Sequence, residues 1–225
     1  MPSNTPNALE SAKLFVGRLI RQGGRFAVLL LLSAVAMNAA APATKTLIFF
    51  GDSLTAGYGV DPDEAYPALL QKKIDAAGLP WKVVNAGLSG ETTAGGLRRL
   101  DWILRQPVDI FVIELGGNDG LRGIGPEVTR ANLQTMIERV RAKYPRVTIV
   151  LAGMQIPTNM GREHADAFAQ IYPSLAESTQ AMLIPFLLEN VGGIPELNLP
   201  DGIHPTPAGH RIVAATVWKT IQPLL

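Results

Sequence analysis

The sequence predicts an α/β protein in which helices cover both faces of a parallel sheet, giving three layers. Two patterns in residues 44–225 predict this fold. Short apolar runs alternate with longer segments of helical apolar spacing, and most of the short runs are apolar at nearly every position. Such runs are typical of strands buried on both faces, as those of a parallel sheet are. The composition, 47% hydrophobic and 17% charged over 225 residues, provides enough apolar material for one core.

Five short apolar runs are the predicted strands. The first is continuous from Thr46 to Phe50 and ends at Gly51, and the third ends at a Gly-Gly pair. Glycine after an apolar run is a common end point for a strand, because it allows the chain to turn tightly. The predicted strands are 46–50, 82–85, 109–115, 147–151 and 182–187.

Five segments with apolar residues three or four positions apart are the predicted helices. In the first, Leu70 and Ile74 lie on one face, and Gly78 ends the segment. In the last, Pro207 suits the first turn of a helix. The predicted helices are 65–77, 93–104, 128–144, 163–177 and 207–221.

The first 43 residues differ from the rest and resemble a secretory signal peptide. Four basic residues precede an uncharged run, 26–44, whose centre is strongly apolar, and Ala41-Pro42-Ala43 fits an A-x-A cleavage site. We therefore expect cleavage near Ala43 and a periplasmic or secreted protein. The basic region is long, so an uncleaved N-terminal anchor or a misassigned start codon are the alternatives.

Composition excludes several functional classes. The chain has no cysteine, which excludes a disulfide scaffold, a thiolate zinc site and a cysteine nucleophile. A net charge of +1 gives no sign of a nucleic-acid-binding surface. Only His164, His204 and His210 can supply an imidazole. We expect His164 to be solvated at a helix start and His210 to lie on a helix surface.

Polar, glycine-containing clusters follow the first three predicted strands, and a fourth precedes the last helix. In parallel sheets, ligands bind beyond the carboxyl ends of the strands, so these clusters are expected to lie at one edge. Each alone has an ordinary explanation, such as a helix cap or a turn. The clusters are Gly51-Asp52-Ser53-Leu54, residues 85–92, Gly116-Gly117-Asn118-Asp119 and residues 201–205.

Together, the four clusters contain the groups needed for acyl transfer through an acyl-serine. Ser53 is a candidate nucleophile, and the carboxylate of Asp201 can orient His204 as the base. The second and third clusters offer a glycine N–H and the Asn118 amide as oxyanion donors. Asp52 is expected to hydrogen-bond the backbone and not to act as a second acid.

The sequence around these residues resembles the SGNH hydrolase superfamily. Gly51-Asp52-Ser53-Leu54 is similar to the GDSL signature, and Ser53, Gly90, Asn118 and His204 match the four blocks of the superfamily. Residues 84–92, 114–123 and 201–205 resemble the bacterial periplasmic thioesterase I / lysophospholipase L1 / arylesterase group. Gly87 is the competing glycine of the second block.

The resemblance implies a flavodoxin-like sheet of strand order 2-1-3-4-5 over residues 44–225. It also implies hydrolysis of acyl esters or thioesters without a metal or cofactor. Ser53, Asp201 and His204 would be catalytic, and the N–H groups of Ser53 and Gly90 with the Asn118 amide would hold the oxyanion. The expected partner is a small acyl ester or thioester, lysophospholipids included. No nucleic acid is expected, nor stable membrane insertion after signal cleavage, and the protein is expected to be a monomer.

Three alternatives remain open at this stage. One is a carbohydrate O-deacetylase of the same superfamily, and another is a non-catalytic exported binding module with this fold. The third is a metal-dependent hydrolase, although the sequence contains no H-E-x-x-H helix. Its candidate ligands would be Asp52, Asp119, Asp201, His204 and His210.

Other side chains are expected to have structural roles only. Three residues of the fourth predicted helix should belong to the core, and three arginines of the second helix and the turn after it should form a solvated face. These are Phe168, Tyr172 and Leu175, and Arg98, Arg99 and Arg105, respectively. Residues 154–161 resemble a mobile loop that lies near the acyl site in the superfamily.

Overall fold

The computed structural model describes residues 43–225, and these form the three-layer α/β/α fold that the sequence predicts. The predicted signal peptide, apart from its last residue, lies outside the described residues. Five parallel strands have the order β2-β1-β3-β4-β5, which confirms the expected sheet. The strands are β1 (Lys45–Gly51), β2 (Trp81–Gly87), β3 (Ile110–Glu114), β4 (Thr148–Ala152) and β5 (Met182–Ile184).

Eight helices lie in the described part of the chain, and four of them differ from the predicted set: two are new, and two take the place of one predicted helix. One-turn helices directly follow β1 and β3, and the predicted helix 163–177 is divided into two. The helices are α1 (Ser53–Ala56), α2 (Tyr66–Ala76), α3 (Thr93–Ile103), α4 (Gly117–Leu121), α5 (Pro126–Lys143), α6 (Arg162–Ala169), α7 (Ile171–Thr179) and α8 (Pro207–Ile221).

Proline explains the main differences from the predicted boundaries. Pro173 lacks an N–H, and its ring would clash with the carbonyl of Ala169 in a continuous helix, so the chain breaks at Gln170. Pro185 ends β5 at Ile184, three residues earlier than predicted. Pro126 supplies the first residue of α5, which begins two residues earlier than predicted.

The core lies on both faces of the central strands. Residues 47–50 of β1 and all of β3 are buried, whereas the edge strand β2 is partly exposed. Phe168, Tyr172 and Leu175 are fully buried, as predicted. Within residues 43–225, no helix is both long and apolar enough to span a bilayer. The sheet thus forms a rigid base whose carboxyl edge carries the loops that contain the candidate site.

Candidate active site

Ser53 lies at the first residue of α1, immediately after the central strand β1. The Asp52 side chain caps this helix, with Oδ1 accepting the N–H of Leu54 at 3.0 Å. Gly51 is required at the turn, because a Cβ there would collide with Thr55 and Glu114. As the first residue of the helix, Ser53 has an N–H that no turn of α1 can engage.

His204 connects Ser53 with Asp201. Its Nε2 lies 2.8 Å from Ser53 Oγ, and its Nδ1 lies 2.7 Å from Asp201 Oδ2. Asp201 Oδ1 also accepts the N–H groups of Ile203 and His204, at 2.9 and 3.0 Å. Desolvation opposes ionisation of Asp201, but these hydrogen bonds outweigh it and lower its pKa to about 2. The carboxylate therefore accepts Nδ1–H and leaves Nε2 free to accept the serine proton.

The Tyr58 ring packs against the imidazole ring of His204. The centroids of the two rings are 4.5 Å apart, and Tyr58 itself is 53% exposed. Sequence reasoning missed this contact, because Tyr58 lies in an irregular loop after α1 and follows no periodic pattern. The ring restricts the imidazole to the orientation that faces Ser53.

Asn118 is the second residue of α4 and lies at the same edge of the sheet. Its Nδ2 donates one hydrogen bond to Asp52 Oδ2 at 3.0 Å, which leaves the second N–H of the amide for another acceptor. Gly116, two residues before Asn118, has a φ of +116°, a left-handed conformation that glycine adopts without strain. Ser53, Asn118 and His204 line one cavity.

Gly90 lies in the exposed loop after β2, with φ of +78°. Its carbonyl accepts a hydrogen bond from Arg122 at 3.0 Å, and within residues 43–225 its N–H has no acceptor. It is not among the residues that line the cavity. The competing glycine, Gly87, has a packing role, because a Cβ there would collide with the backbone of Ala56.

The cavity beside Ser53 has a volume of about 420 Å³ and is largely apolar. Its polar side chains are the three candidate site residues, Ser53, Asn118 and His204, together with Asp52 and Gln155. Residues 154–157, part of the loop that the sequence analysis singled out, form one wall. The apolar side chains of the lining are Leu54, Leu121, Met154, Ile156, Pro157, Phe186, Leu188 and Ile203. Among the residues that the structure describes, no Lys or Arg lines the cavity, so it suits an uncharged acyl chain.

A second carboxyl group, Glu114, lies buried beneath the nucleophile. Its Oε2 accepts the N–H of Asp52 at 3.1 Å and the hydroxyl of Thr55 at 2.7 Å. Burial raises the pKa of Glu114 well above its ordinary value and that of Asp52 to about 6. The sequence analysis did not single out Glu114, although an acidic residue ending an otherwise apolar strand was a usable signal.

Arg99 corrects the expectation of a solvated arginine face. Its guanidinium stacks over the Phe50 ring at 4.2 Å and forms an ion pair with the buried Glu91. It also donates to the carbonyls of Gly51 and Ala86, at 3.1 and 2.8 Å. Arg99 thus fixes the ends of β1 and β2 to each other, directly before the nucleophile.

The other two histidines lie outside the site, and neither is placed as expected. His210 is 1% exposed on α8, where its Nδ1 accepts the N–H of Tyr66 at 3.3 Å. It is buried because α8 packs against α2. His164 is partly buried rather than solvated, with Nε2 shielded from water.

The five proposed metal ligands do not form one cluster. Asp119 is engaged by the N–H of Thr93 at 2.8 Å, Asp201 by His204, and His210 lies in the core. In the part of the chain that the structure describes, no three acidic or histidine side chains are arranged to hold a metal ion. The geometry therefore favours a serine site over a metal site.

Known proteins resemble this chain over the region that carries the four clusters. A model of the GDSL-like Lipase/Acylhydrolase family matches residues 49–212, which include all four clusters. Esterase TesA of Pseudomonas aeruginosa is 42% identical over 184 residues, covering 81% of this chain and 90% of TesA. Thioesterase 1/protease 1/lysophospholipase L1 of Escherichia coli K12 is 40% identical over 186 residues, covering 82% of this chain and 87% of that protein.

A solved structure shows the same fold. The psychrotrophic esterase EstA from Pseudoalteromonas sp., in a structure inhibited by monoethylphosphonate, superposes with a TM-score of 0.76 at 32% identity. The match covers 80% of this chain and 98% of EstA. The chain belongs to the GDSL-like lipase/acylhydrolase family.

Proposed function

We propose that this protein is a serine esterase that hydrolyses acyl esters or thioesters through an acyl-serine intermediate. The observation that carries the proposal is the continuous hydrogen-bonded arrangement of Ser53, His204 and Asp201, of which Ser53 and His204 line a largely apolar cavity. A nucleophile within hydrogen-bond reach of a base, itself oriented by a carboxylate, is the arrangement that acyl transfer requires.

In the acylation step, His204 Nε2 takes the proton of Ser53 as Oγ attacks the acyl carbonyl carbon. The negative charge that develops on the carbonyl oxygen would be held by the N–H groups of Ser53 and Gly90 and by the Asn118 amide. The imidazolium then gives its proton to the departing alkoxide or thiolate. Water, activated by the same imidazole, hydrolyses the acyl-serine and restores Ser53.

The shape and polarity of the cavity support an acyl chain as the bound part of the substrate. Most of its lining is apolar, so an acyl chain bound there would bury its methylene groups, at about 0.8 kcal/mol each. The alcohol or thiol part would lie outside the cavity, which is compatible with esters, thioesters and lysophospholipids. The names of the Pseudomonas and Escherichia relatives include both esterase and thioesterase.

A carbohydrate O-deacetylase is the second candidate, and a chain-length series separates the two. We expect kcat/KM on aryl esters and on acyl-CoA thioesters to rise from acetyl to longer acyl chains until the cavity is filled. Ser53→Ala should lose nearly all turnover on every substrate, while retaining the wild-type circular dichroism spectrum. Highest kcat/KM on acetyl groups, with a decline for each added methylene, would favour the deacetylase.

We also propose that the protein acts outside the cytoplasm as a monomer, on small-molecule substrates and without a nucleic-acid partner. The basic and apolar segments before residue 44 support export, and the family match begins only at residue 49. After cleavage we expect no stable membrane insertion. N-terminal sequencing of the exported protein should give Thr44 or a close neighbour, whereas a chain still starting at Met1 would indicate an anchor.

A further inference from the structure

Two carboxyl groups, Glu114 and Asp52, lie next to each other beneath the nucleophile. Glu114 is 0% exposed and Asp52 is 2% exposed. Within residues 43–225, neither forms an ion pair with a Lys, Arg or His side chain. Two buried, adjacent carboxylates without a counter-charge are strongly unfavourable, so such a pair retains one proton.

The charged and titratable groups around the pair are engaged elsewhere. Arg99 is held by Glu91 and by two backbone carbonyls, and His204 by Ser53 and Asp201. The other neighbours are neutral tyrosines and one further acid. Tyr66 bonds Thr55, Tyr172 donates to the Leu115 carbonyl, and Asp119 accepts from Thr93.

Hydrogen bonding indicates which of the two carboxyl groups carries the proton. Asp52 accepts from the Leu54 N–H and from the Asn118 amide, both at 3.0 Å, as an ionised carboxylate does. Glu114 accepts two hydrogen bonds at Oε2, but its Oε1 is buried and has no donor facing it. A protonated carboxyl oxygen needs an acceptor and no donor, so Oε1 is the oxygen that can carry the proton. The Asp52 side chain, which lies within hydrogen-bonding reach of the Glu114 side chain, is the acceptor available to it.

We propose that Glu114 is a neutral acid that donates its Oε1–H to the Asp52 carboxylate, and that this pair orients Asn118 for the oxyanion. The chain of contacts is Glu114 to Asp52 to the Asn118 amide. One N–H of Asn118 is fixed on Asp52 Oδ2, so the other is directed away from it, toward the cavity. Glu114 and Asp52 are positioning residues, since neither touches the reacting atoms in the proposed mechanism.

The shared proton also limits the negative charge close to the oxyanion. A pair with one proton carries a single charge, which the Asn118 amide and the Leu54 N–H partly compensate. A second charge would repel both the first carboxylate and the oxyanion that forms in the cavity. The catalytic part of this inference rests on the proposed serine esterase function, whereas the protonation of Glu114 does not.

Infrared spectroscopy tests the protonation without reference to activity. At about pH 8, ordinary Asp and Glu side chains are ionised, so a C=O stretch of a protonated carboxylic acid stands out. We expect one such band in the wild-type protein, lost in Glu114→Gln and unchanged in the control Glu177→Gln, an exposed residue of α7. Absence of the band from the wild type, or its survival in Glu114→Gln, would overturn the proposal.

Kinetics test the route through Asn118. Glutamine places an NH₂ where Glu114 has its Oε1–H, so Glu114→Gln should keep kcat within about fivefold, whereas Glu114→Leu should lower it by about 10- to 100-fold with little change in KM. The upper bound is set by the roughly 10²–10³ that loss of an oxyanion donor costs. In an Asn118→Ala background, Glu114→Leu should cost little more, because the donor that it orients is already absent.

Three kinetic results would contradict the proposal. Glu114→Gln losing as much kcat as Glu114→Leu would mean that an ionised carboxylate is needed. An undiminished loss in the Asn118→Ala background would mean that Glu114 does not act through Asn118. Wild-type kcat in Glu114→Leu would leave it no role. If Glu114→Leu does not fold, the infrared spectra and Glu114→Gln still decide, and an inactive wild type would refute only the esterase function.

Discussion

At the scale of single residues, the site depends on side chains that hold others in place. Asp201 is ionised over the whole physiological pH range, because hydrogen bonds lower its pKa to about 2. Asn118 is tied to Asp52 and His204 is packed against Tyr58. Preorganised donors of this kind contribute more to the transition state than to substrate binding.

Asn118 can be tested as an oxyanion donor by two substitutions. Asn118→Ala should lower kcat by about 10²–10³ and leave KM within a few-fold, provided that KM reports binding. Asn118→Asp should be worse, because its carboxylate would face both the oxyanion and the Asp52 carboxylate, whose Oδ2 lies 3.0 Å from Asn118 Nδ2. Steady-state kinetics on an aryl ester measure both variants. An unfolded Asn118→Ala together with an active Asn118→Asp would show that the residue only forms the turn.

At the scale of elements, the sequence predicted the strands well, but it predicted poorly which helix side chains are covered by other parts of the fold. The central strands are apolar at nearly every position, and that pattern does not depend on the rest of the fold. His210 and Arg99 were assigned to the surface because periodicity identifies a helix face but not what covers it. His210 is buried by α2, and Arg99 is held by Glu91 and Phe50, so both assignments required the tertiary structure.

Other differences between the predicted and the observed structure were marked in the sequence by single residues, but the surrounding pattern suggested another interpretation. Pro173 was visible in the sequence, but the apolar spacing of residues 163–177 favoured one continuous helix. Glu114 was assigned to the third strand, 109–115, and to the block 114–123 of the family resemblance, but to no role in the site. Residues of three of the four clusters, Ser53, Asn118 and His204, line one cavity, because each cluster follows a strand or precedes α8 and the topology of a parallel sheet brings those positions together.

The packing of α8 on α2 should make the protein acid-sensitive through His210. Burial lowers the pKa of His210 to about 4, so as pH falls below about 6.5 the unfolded state gains this proton before the folded state does. The contribution of His210 to the free energy of unfolding is therefore fully present above that pH. Its loss should lower the free energy of unfolding by up to about 3 kcal/mol by pH 4. His210→Asn keeps an acceptor for the Tyr66 N–H but does not titrate, so urea denaturation should show a smaller decrease. Equal decreases in both proteins would assign the acid sensitivity to other groups.

At the scale of the whole molecule, residues 44–225 contain the five-stranded sheet, the eight helices described above and every residue assigned to the site. The family match, residues 49–212, lies within the same range. The protein lacking residues 1–43 should therefore fold and hydrolyse esters with the kcat/KM of the full-length chain. Circular dichroism and steady-state kinetics of the two proteins provide the comparison. A shortened chain that folds but loses activity would mean that the N-terminal segment contributes to the site.

The central claim is that Ser53, activated by His204, forms a covalent acyl intermediate. Mass spectrometry of the protein after reaction with an alkylphosphonate ester tests this most directly, because the phosphonate remains on the nucleophile. We expect one adduct per chain, located on the peptide that contains Ser53, with loss of ester hydrolysis in proportion to labelling. Labelling should be absent in Ser53→Ala and unaffected by EDTA. Full ester turnover with no adduct on Ser53, or undiminished turnover in a folded Ser53→Ala protein, would contradict the account.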